Sequence, residues 1–150
     1  MPATTPIMPD AIYASLTHTH RILDTFLQRR LTPLQLTLDN YLIVLFIGQQ
    51  TELSQDWLMQ RLGITASVVT RRLKQLQEQK LITKVANPDD RRGWLVQLSA
   101  AGQLTYQKLV EVLLAGHQHL RQGLTDAQLV TFYAMLRQIE INAARPEEMK

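Results

Sequence analysis

The sequence has no cysteine among its 150 residues, and this absence excludes three kinds of site. A chain without thiols has no disulfide framework, no zinc site built on cysteine and no thiol redox switch. Proteins without disulfides are typical of reducing compartments, so we expect a cytoplasmic protein.

Long apolar segments are also absent. The longest apolar stretch, Tyr41 to Ile47, is far shorter than the roughly 20 residues that span a bilayer. The N-terminal segment lacks the basic start and the apolar run of a signal peptide. We therefore expect no membrane partner.

Motifs of common enzymes are missing as well. The sequence contains no G-x-S-x-G, no phosphate-binding loop and no H-E-x-x-H. Its conspicuous ionisable pairs are His18 with His20 and His117 with His119. Residues two apart on a helix point to different sides, so neither pair readily shares a metal ion. We expect no catalytic residue, metal site or cofactor; a metal-responsive sensor, using one histidine from each helix and added carboxylates, remains an alternative.

Charge is scarce but unevenly distributed. Charged residues make up 19% of the chain, and the formal net charge is +3. The segment from Arg61 to Arg92 holds eight basic and three acidic residues, a net charge of +5, whereas the rest holds eight basic and ten acidic. A local excess of this kind is expected of a surface that meets phosphates, and a solvated basic face is the alternative.

Helical periodicity is clear at both ends of the chain. Apolar residues recur at helical spacings from Ala11 to Arg30, before a break at Pro33. A buried helix is predicted from Thr37 or Asp39 to Ile47, with Gly48 as its end. Near the C-terminus, a helix from Ser99 or Ala100 to about Gln122, stopped by Gly123, precedes one from Asp126 to about Ala144. Thr125 and Gln128 fit a capping box at its start.

Two shorter helices are predicted in the middle of the chain. Ser54 caps a helix that runs to Leu62 and ends at Gly63, and Thr65 caps the next one. The inner face of that next helix carries Val69, Leu73 and Leu76. Two helices joined by a short turn with a glycine form the helix-turn-helix pattern.

A change of period follows directly. Residues Leu81 to Val85 and Trp94 to Leu98 are rich in strand-forming types, and residues 87–93 between them have the composition of a turn. A hairpin after a helix-turn-helix is the wing of a winged helix. Because an isolated hairpin is marginal in water, this one must pack on the helices.

The segment from Asp90 to Gly102 is similar to the wing signature D-x-R-x-x-x-V-x-L-T-x-x-G of the multiple-antibiotic-resistance regulator (MarR) family, with Ser99 in place of Thr. Leu62 to Arg71 resembles the opening of that family's recognition helix. The chain departs from the family at Ala66, at Val68 and at Lys80, where glycine is common. If Lys80 needs a positive φ, a lysine costs stability there.

The resemblance implies a mainly α fold with a small β wing, a winged helix-turn-helix in the order helix, helix, strand, helix, helix, strand, strand, helix, helix. It implies a single MarR-like domain over residues 1–150. Residues from about 36 to 100 would form the DNA-binding part, and about 9–32 and 101–145 the dimerisation helices. The implied function is a transcriptional regulator, a repressor, that binds a near-palindromic operator in double-stranded DNA as a homodimer.

Candidate DNA contacts lie on the recognition helix and the wing. The outer face of the helix carries Ser67 and Thr70, whose hydroxyls can bond bases or phosphates, Arg71, which can pair with a guanine, and Lys74, which suits a phosphate. Ala66 and Gln77 share this face. Arg91 and Arg92 stand at the hairpin tip, where an arginine can enter the minor groove. Asp90 would orient the wing by a charged hydrogen bond.

The terminal helices have more apolar residues than one chain needs. Such a surplus is expected if helices of two subunits share one core, and a purely intramolecular core is the alternative. The residues concerned are Ile12, Leu16, Leu23, Leu124, Leu129, Phe132, Leu136 and Ile139.

The resemblance also implies an effector, a small aromatic acid or phenol, in a pocket between the dimer helices and the winged domain. His20, Tyr41 and Tyr106 are the candidate contacts, because each offers a polar group on an otherwise apolar helix face. Alternatively, each is a hydrogen-bonded core residue. A winged helix that binds protein instead of DNA is a further alternative, and steep salt dependence would distinguish DNA binding from it.

Overall fold

The computed structural model describes residues 11–88 and 93–145. Helices and strands follow the predicted order. Their bounds are α1 Ala11–Leu31, α2 Tyr41–Gln50, β1 Glu52–Ser54, α3 Gln55–Leu62, α4 Ala66–Glu78, β2 Ile82–Ala86, β3 Trp94–Leu98, α5 Ala100–Leu120 and α6 Asp126–Ala144, with a 3₁₀ turn at Thr32–Leu34. This mainly α fold with a small antiparallel sheet confirms the predicted winged helix. None of the described helices combines the length and apolarity needed to cross a membrane.

The described residues divide into two compact units, which meet between Leu113 and Leu114. The core of the first unit is contributed by every helix from α1 to α4, by the sheet and by Leu109 of α5. In α4 the buried residues are Val69, Leu73 and Leu76, so the predicted inner face is confirmed. Spacings of four and three keep these side chains on one side of the helix. The opposite side of α4 therefore faces solvent.

The sheet has three antiparallel strands in the order β1-β3-β2. In the central strand, Val96 and Leu98 are buried, whereas Leu95 and Gln97 are only half-buried. This alternation follows the two-residue period of a strand with one face on the core. Val96 pairs with Leu53 of β1, and Leu98 pairs with Ile82 of β2. The wing is thus anchored on the helices at its base.

Most predicted helix ends are confirmed. Ser54 Oγ accepts a hydrogen bond from the Trp57 N–H at 3.1 Å, and Gly63 ends α3 with a φ of 63°. In the second unit Thr125 and Gln128 form the predicted capping box of α6. The expected cap of α4 differs in detail, because the Thr65 hydroxyl bonds the Ser67 hydroxyl at 3.0 Å instead of a helical N–H.

Lys80 has the positive φ that its position between α4 and β2 suggested, at 59°. A non-glycine residue in this left-handed region costs free energy through its Cβ. The backbone is held there by neighbouring bonds: the Lys80 carbonyl accepts the Ser99 hydroxyl at 2.6 Å. The same Ser99 oxygen accepts the Gly102 N–H at 3.0 Å, at the start of α5. Ser99, which replaces the family's threonine, therefore fixes both segments.

The prediction that Gly48 ends α2 is wrong. The helix continues to Gln50 and ends before Thr51, whose φ is 72°. Gly48 instead allows close packing: a Cβ built there would lie 2.2 Å from Cδ2 of Tyr106. The absence of a side chain lets the Tyr106 ring of α5 rest directly on the α2 backbone. A glycine can end a helix or allow close packing, and only the position of Tyr106 shows which of these roles Gly48 has.

Gly48→Ala is expected to destabilise the protein by roughly 1–3 kcal/mol, because the added methyl group overpacks the contact with Tyr106. Intrinsic helix propensity alone would stabilise the variant by about 1 kcal/mol, so the sign of the change identifies the cause. Urea unfolding followed by circular dichroism measures it. In a Tyr106→Ala background the same substitution should become neutral or stabilising. A stabilised single variant would contradict the packing role.

Candidate nucleic-acid interface

The outer face of α4 presents the polar residues predicted for it. Ser67, Thr70, Arg71 and Lys74 are all exposed. Gln77, placed on the same face from the sequence, is half-buried, and Gln75 is exposed instead. The helix therefore offers two hydroxyls and two cations along one side, while its other side is part of the core.

The two cations of this face differ in their surroundings. Within the described part of the chain, Arg71 forms no ion pair, so its guanidinium is available to an external acceptor. Lys74 Nζ lies 3.9 Å from Glu78 Oε1, and both side chains are mostly exposed. Such an exposed pair contributes little to stability and is easily exchanged for a phosphate.

Hydrogen bonds from α3 and from the preceding turn position the two hydroxyls. Gln55 Nε2 donates to Thr70 Oγ1 at 2.9 Å and also lies 3.3 Å from the Ala66 carbonyl oxygen. The hydroxyl groups of Ser67 and Thr65 are hydrogen-bonded to each other. Sequence reasoning missed Gln55. Its one available signal is its place as the first residue of α3, the helix that packs against α4.

Arg72 has a structural role, unlike its neighbour Arg71. Its side chain is only 17% exposed and pairs with Asp39, in the segment between α1 and α2. Its Nε is buried and has no hydrogen-bond partner among the described residues. Gln79 adds a second link to this segment, because its Nε2 donates to the Gln35 carbonyl at 3.0 Å. These bonds fix α4 from the side away from its exposed face.

The predicted wing contacts Asp90, Arg91 and Arg92 lie outside the described residues. The strands that flank them pair as far as Ala86 and Trp94.

The candidate ligand contacts are only partly brought together. His20 is exposed on α1, with Nε2 3.4 Å from Asp24 Oδ2. Burial, and then the negative charge of Asp24, raise the pKa of the half-buried Tyr41. Tyr41 therefore keeps its proton at neutral pH and can donate a hydrogen bond. The ring of Tyr106, from α5, packs on Gly48, which lies about two helical turns beyond Tyr41 in α2. Asp24 pairs with His20 and raises the pKa of Tyr41, and the sequence did not predict this role for it.

Histidine and acidic residues form no potential metal site in the part of the chain that the structure describes. No three His, Cys, Asp or Glu side chains converge there.

Known proteins resemble this chain in sequence and in fold. The model of the MarR family matches residues 34–93. The multiple antibiotic resistance protein MarR of Escherichia coli (strain K12) is 25% identical over 117 residues, covering 77% of this chain and 81% of the relative.

Two solved structures extend the likeness to most of the chain. A mutant of Escherichia coli MarR in complex with operator DNA has a TM-score of 0.75 and 23% identity, with 89% of this chain and 94% of the other covered. BpsR of Bordetella bronchiseptica, described by the regulation of its DNA binding by 6-hydroxynicotinic acid, has a TM-score of 0.73 and 21% identity, with 87% and 98% covered. These relatives are transcription regulators and not enzymes. Residues 34–93 of this chain thus match the MarR family of transcriptional regulators, and the similarity in sequence and in winged-helix fold extends beyond that segment.

Proposed function

We propose that this protein is a ligand-responsive repressor that binds a near-palindromic DNA operator as a homodimer. The observation that carries the proposal is the exposed face of α4, with Ser67, Thr70, Arg71 and Lys74 on a helix whose other face is buried. A helix of this kind fits the major groove, where short hydroxyls and an arginine can read base edges. Operator DNA in the structure of a similar MarR supports the same use here. Access to DNA would place the protein in the cytoplasm.

The wing would add contacts in the minor groove. The paired strands β2 and β3 lead to Arg91 and Arg92. The narrow minor groove concentrates negative potential and attracts an inserted arginine. Arg92 belongs to the D-x-R pair of the wing motif, and Asp90 would orient it.

Exposed apolar side chains support a homodimer. Ile12 of α1 is 62% exposed. In α6 none of the described residues is buried, and Phe132 lies among its exposed apolar side chains. A 19-residue helix with no buried residue gains little from packing in one subunit, so a second copy is the natural partner. The division into a DNA-binding part, about 36–100, and dimerisation helices, about 9–32 and 101–145, is part of this proposal.

A small aromatic acid or phenol would release the DNA. His20 lies beside the Asp24 carboxylate, whose charge also raises the pKa of Tyr41, and Tyr106 would contribute from α5. The regulation of BpsR by 6-hydroxynicotinic acid supports an effector of this chemical type. The ligand must prefer a spacing of the two recognition helices that does not match the operator. Tenfold release needs only about 1.4 kcal/mol of differential binding.

Arg71→Ala is expected to relax base choice at one position of each half-site, at a cost of roughly 1–3 kcal/mol for the preferred base. Arg92→Ala should weaken binding more evenly across sequences. Selection from random duplexes, followed by anisotropy titrations at several salt concentrations, measures both effects. Lys108→Ala, which removes an exposed positive charge from α5, is the control. Unchanged affinity of Arg92→Ala at physiological salt would refute the wing contact. Binding that does not weaken with salt would favour a protein-interaction module.

Sedimentation at micromolar concentration is expected to show a dimer, and Phe132→Glu should shift it toward monomer by placing a charge in the shared core. The wild type should bind half-sites about 10 bp apart, centre to centre. Inserting about 5 bp, half a helical turn, between the half-sites should reduce affinity, because it rotates them to opposite sides of the duplex. A wild-type monomer that binds one half-site tightly would contradict the dimer.

His20→Ala and Tyr41→Phe are each expected to weaken binding of an effector by removing one polar contact, a loss of roughly 0.5–1.5 kcal/mol. A series of benzoates, phenols and 6-hydroxynicotinic acid, screened for release of DNA, provides the probe. Calorimetry then gives ligand affinity, and anisotropy gives DNA affinity. Unchanged ligand affinity would remove that residue from the pocket. An effector that binds without altering DNA affinity would refute the mechanism.

A further inference from the structure

Gln55 makes a hydrogen bond whose direction the structure determines. Its Nε2 lies 2.9 Å from Thr70 Oγ1 and 3.3 Å from the Ala66 carbonyl oxygen. A backbone carbonyl can only accept, so the atom of Gln55 that faces it must be the amide nitrogen. The same nitrogen faces Thr70, and Gln55 therefore donates to the threonine hydroxyl.

The proton of the Thr70 hydroxyl is consequently left for another acceptor. A hydroxyl has one proton and two lone pairs, and Gln55 uses a lone pair. Helical threonines often donate this proton to the carbonyl four residues earlier, as Thr25 and Thr131 do, at 3.0 and 2.9 Å. Among the described residues Thr70 donates to no acceptor, and its side chain is on the exposed face of α4.

We propose that Gln55 is a positioning residue that makes Thr70 a hydrogen-bond donor to DNA and so helps to set operator specificity. In the major groove, guanine and thymine present acceptors at O6 and O4, whereas cytosine presents the N4 amino donor. A Thr70 proton directed at the base therefore favours guanine or thymine over cytosine, which would meet only the one remaining lone pair of the hydroxyl. This inference rests on the proposed function, which places Thr70 at the base edges.

Gln55→Glu tests the proposal by reversing the polarity of the bond. A carboxylate can only accept, so Thr70 would donate to it and offer lone pairs to the DNA. The preference for guanine or thymine over cytosine at that base should fall by roughly three- to tenfold, the range of one net hydrogen bond. Gln55→Ala, which leaves the hydroxyl free to rotate, should flatten the preference less. Selection from random duplexes and competition titrations measure the ratio.

The design separates this effect from general damage. A negative charge at the first residue of α3 is favourable at a helix N-terminus, so Gln55→Glu should fold, and thermal unfolding checks this. The added charge repels phosphates for every sequence alike, and the ratio between competing bases removes that contribution. Thr70→Val, which lacks the hydroxyl, identifies the base concerned. In that background Gln55→Glu should leave the ratio unchanged.

Three results would overturn the proposal in distinguishable ways. An unchanged base profile in Thr70→Val would refute the base contact of Thr70, which belongs to the proposed function. A profile altered by Thr70→Val but not by Gln55→Glu would refute only the role of Gln55. An equal response to Gln55→Glu with and without the Thr70 hydroxyl would show that residue 55 reads DNA directly.

Discussion

Burial of Val69, Leu73 and Leu76 is the constraint on which the rest of the structure depends. Fully burying one such side chain is worth roughly 1.5–3 kcal/mol, so turning α4 about its axis would lose several kcal/mol. The exposed face is thereby fixed without any contribution from its own residues. The side chains of Thr70 and Arg71 are therefore not needed to orient the helix, because the apolar residues on the opposite face determine which side of α4 is exposed.

The segment between α1 and α2 adds a second constraint, made of polar bonds. Asp39 pairs with Arg72, and the Gln35 carbonyl accepts from Gln79, so one short segment holds both the middle and the end of α4. Gln28 of α1 binds the same segment through the Leu36 carbonyl and the Leu38 N–H, each at 3.3 Å. A displacement of α1 would therefore reach α4 through few intermediate residues. These bonds would be the physical route by which the effector proposed near His20 and Tyr41 alters the proposed fit of α4 to DNA.

Local features of the sequence predicted local structure well. Ser54, Gly63 and the Thr125–Gln128 box each act within one turn of chain, and all three are found in the structure. Gly48 was misread because its role depends on Tyr106, a residue distant in sequence that the helical pattern does not associate with it. The Arg72–Asp39 pair was missed for the same reason. Neither charge is unusual in its own segment, and only the folded chain brings them together.

The candidate interface likewise combines features that the local sequence predicts with one that depends on a residue distant in sequence. Helical periodicity alone predicts which side of α4 is exposed. The exposed residues Ser67, Thr70, Arg71 and Lys74 could therefore be named from the sequence. The direction in which a hydroxyl bonds depends on a neighbour from another helix, which periodicity does not contain. For Thr70 that neighbour is Gln55. Its amide has both a donor and an acceptor end, and the Ala66 carbonyl decides which end faces the threonine. Specificity of this kind is therefore a property of the packed pair of helices, and exchange of α4 residues alone would not transfer it.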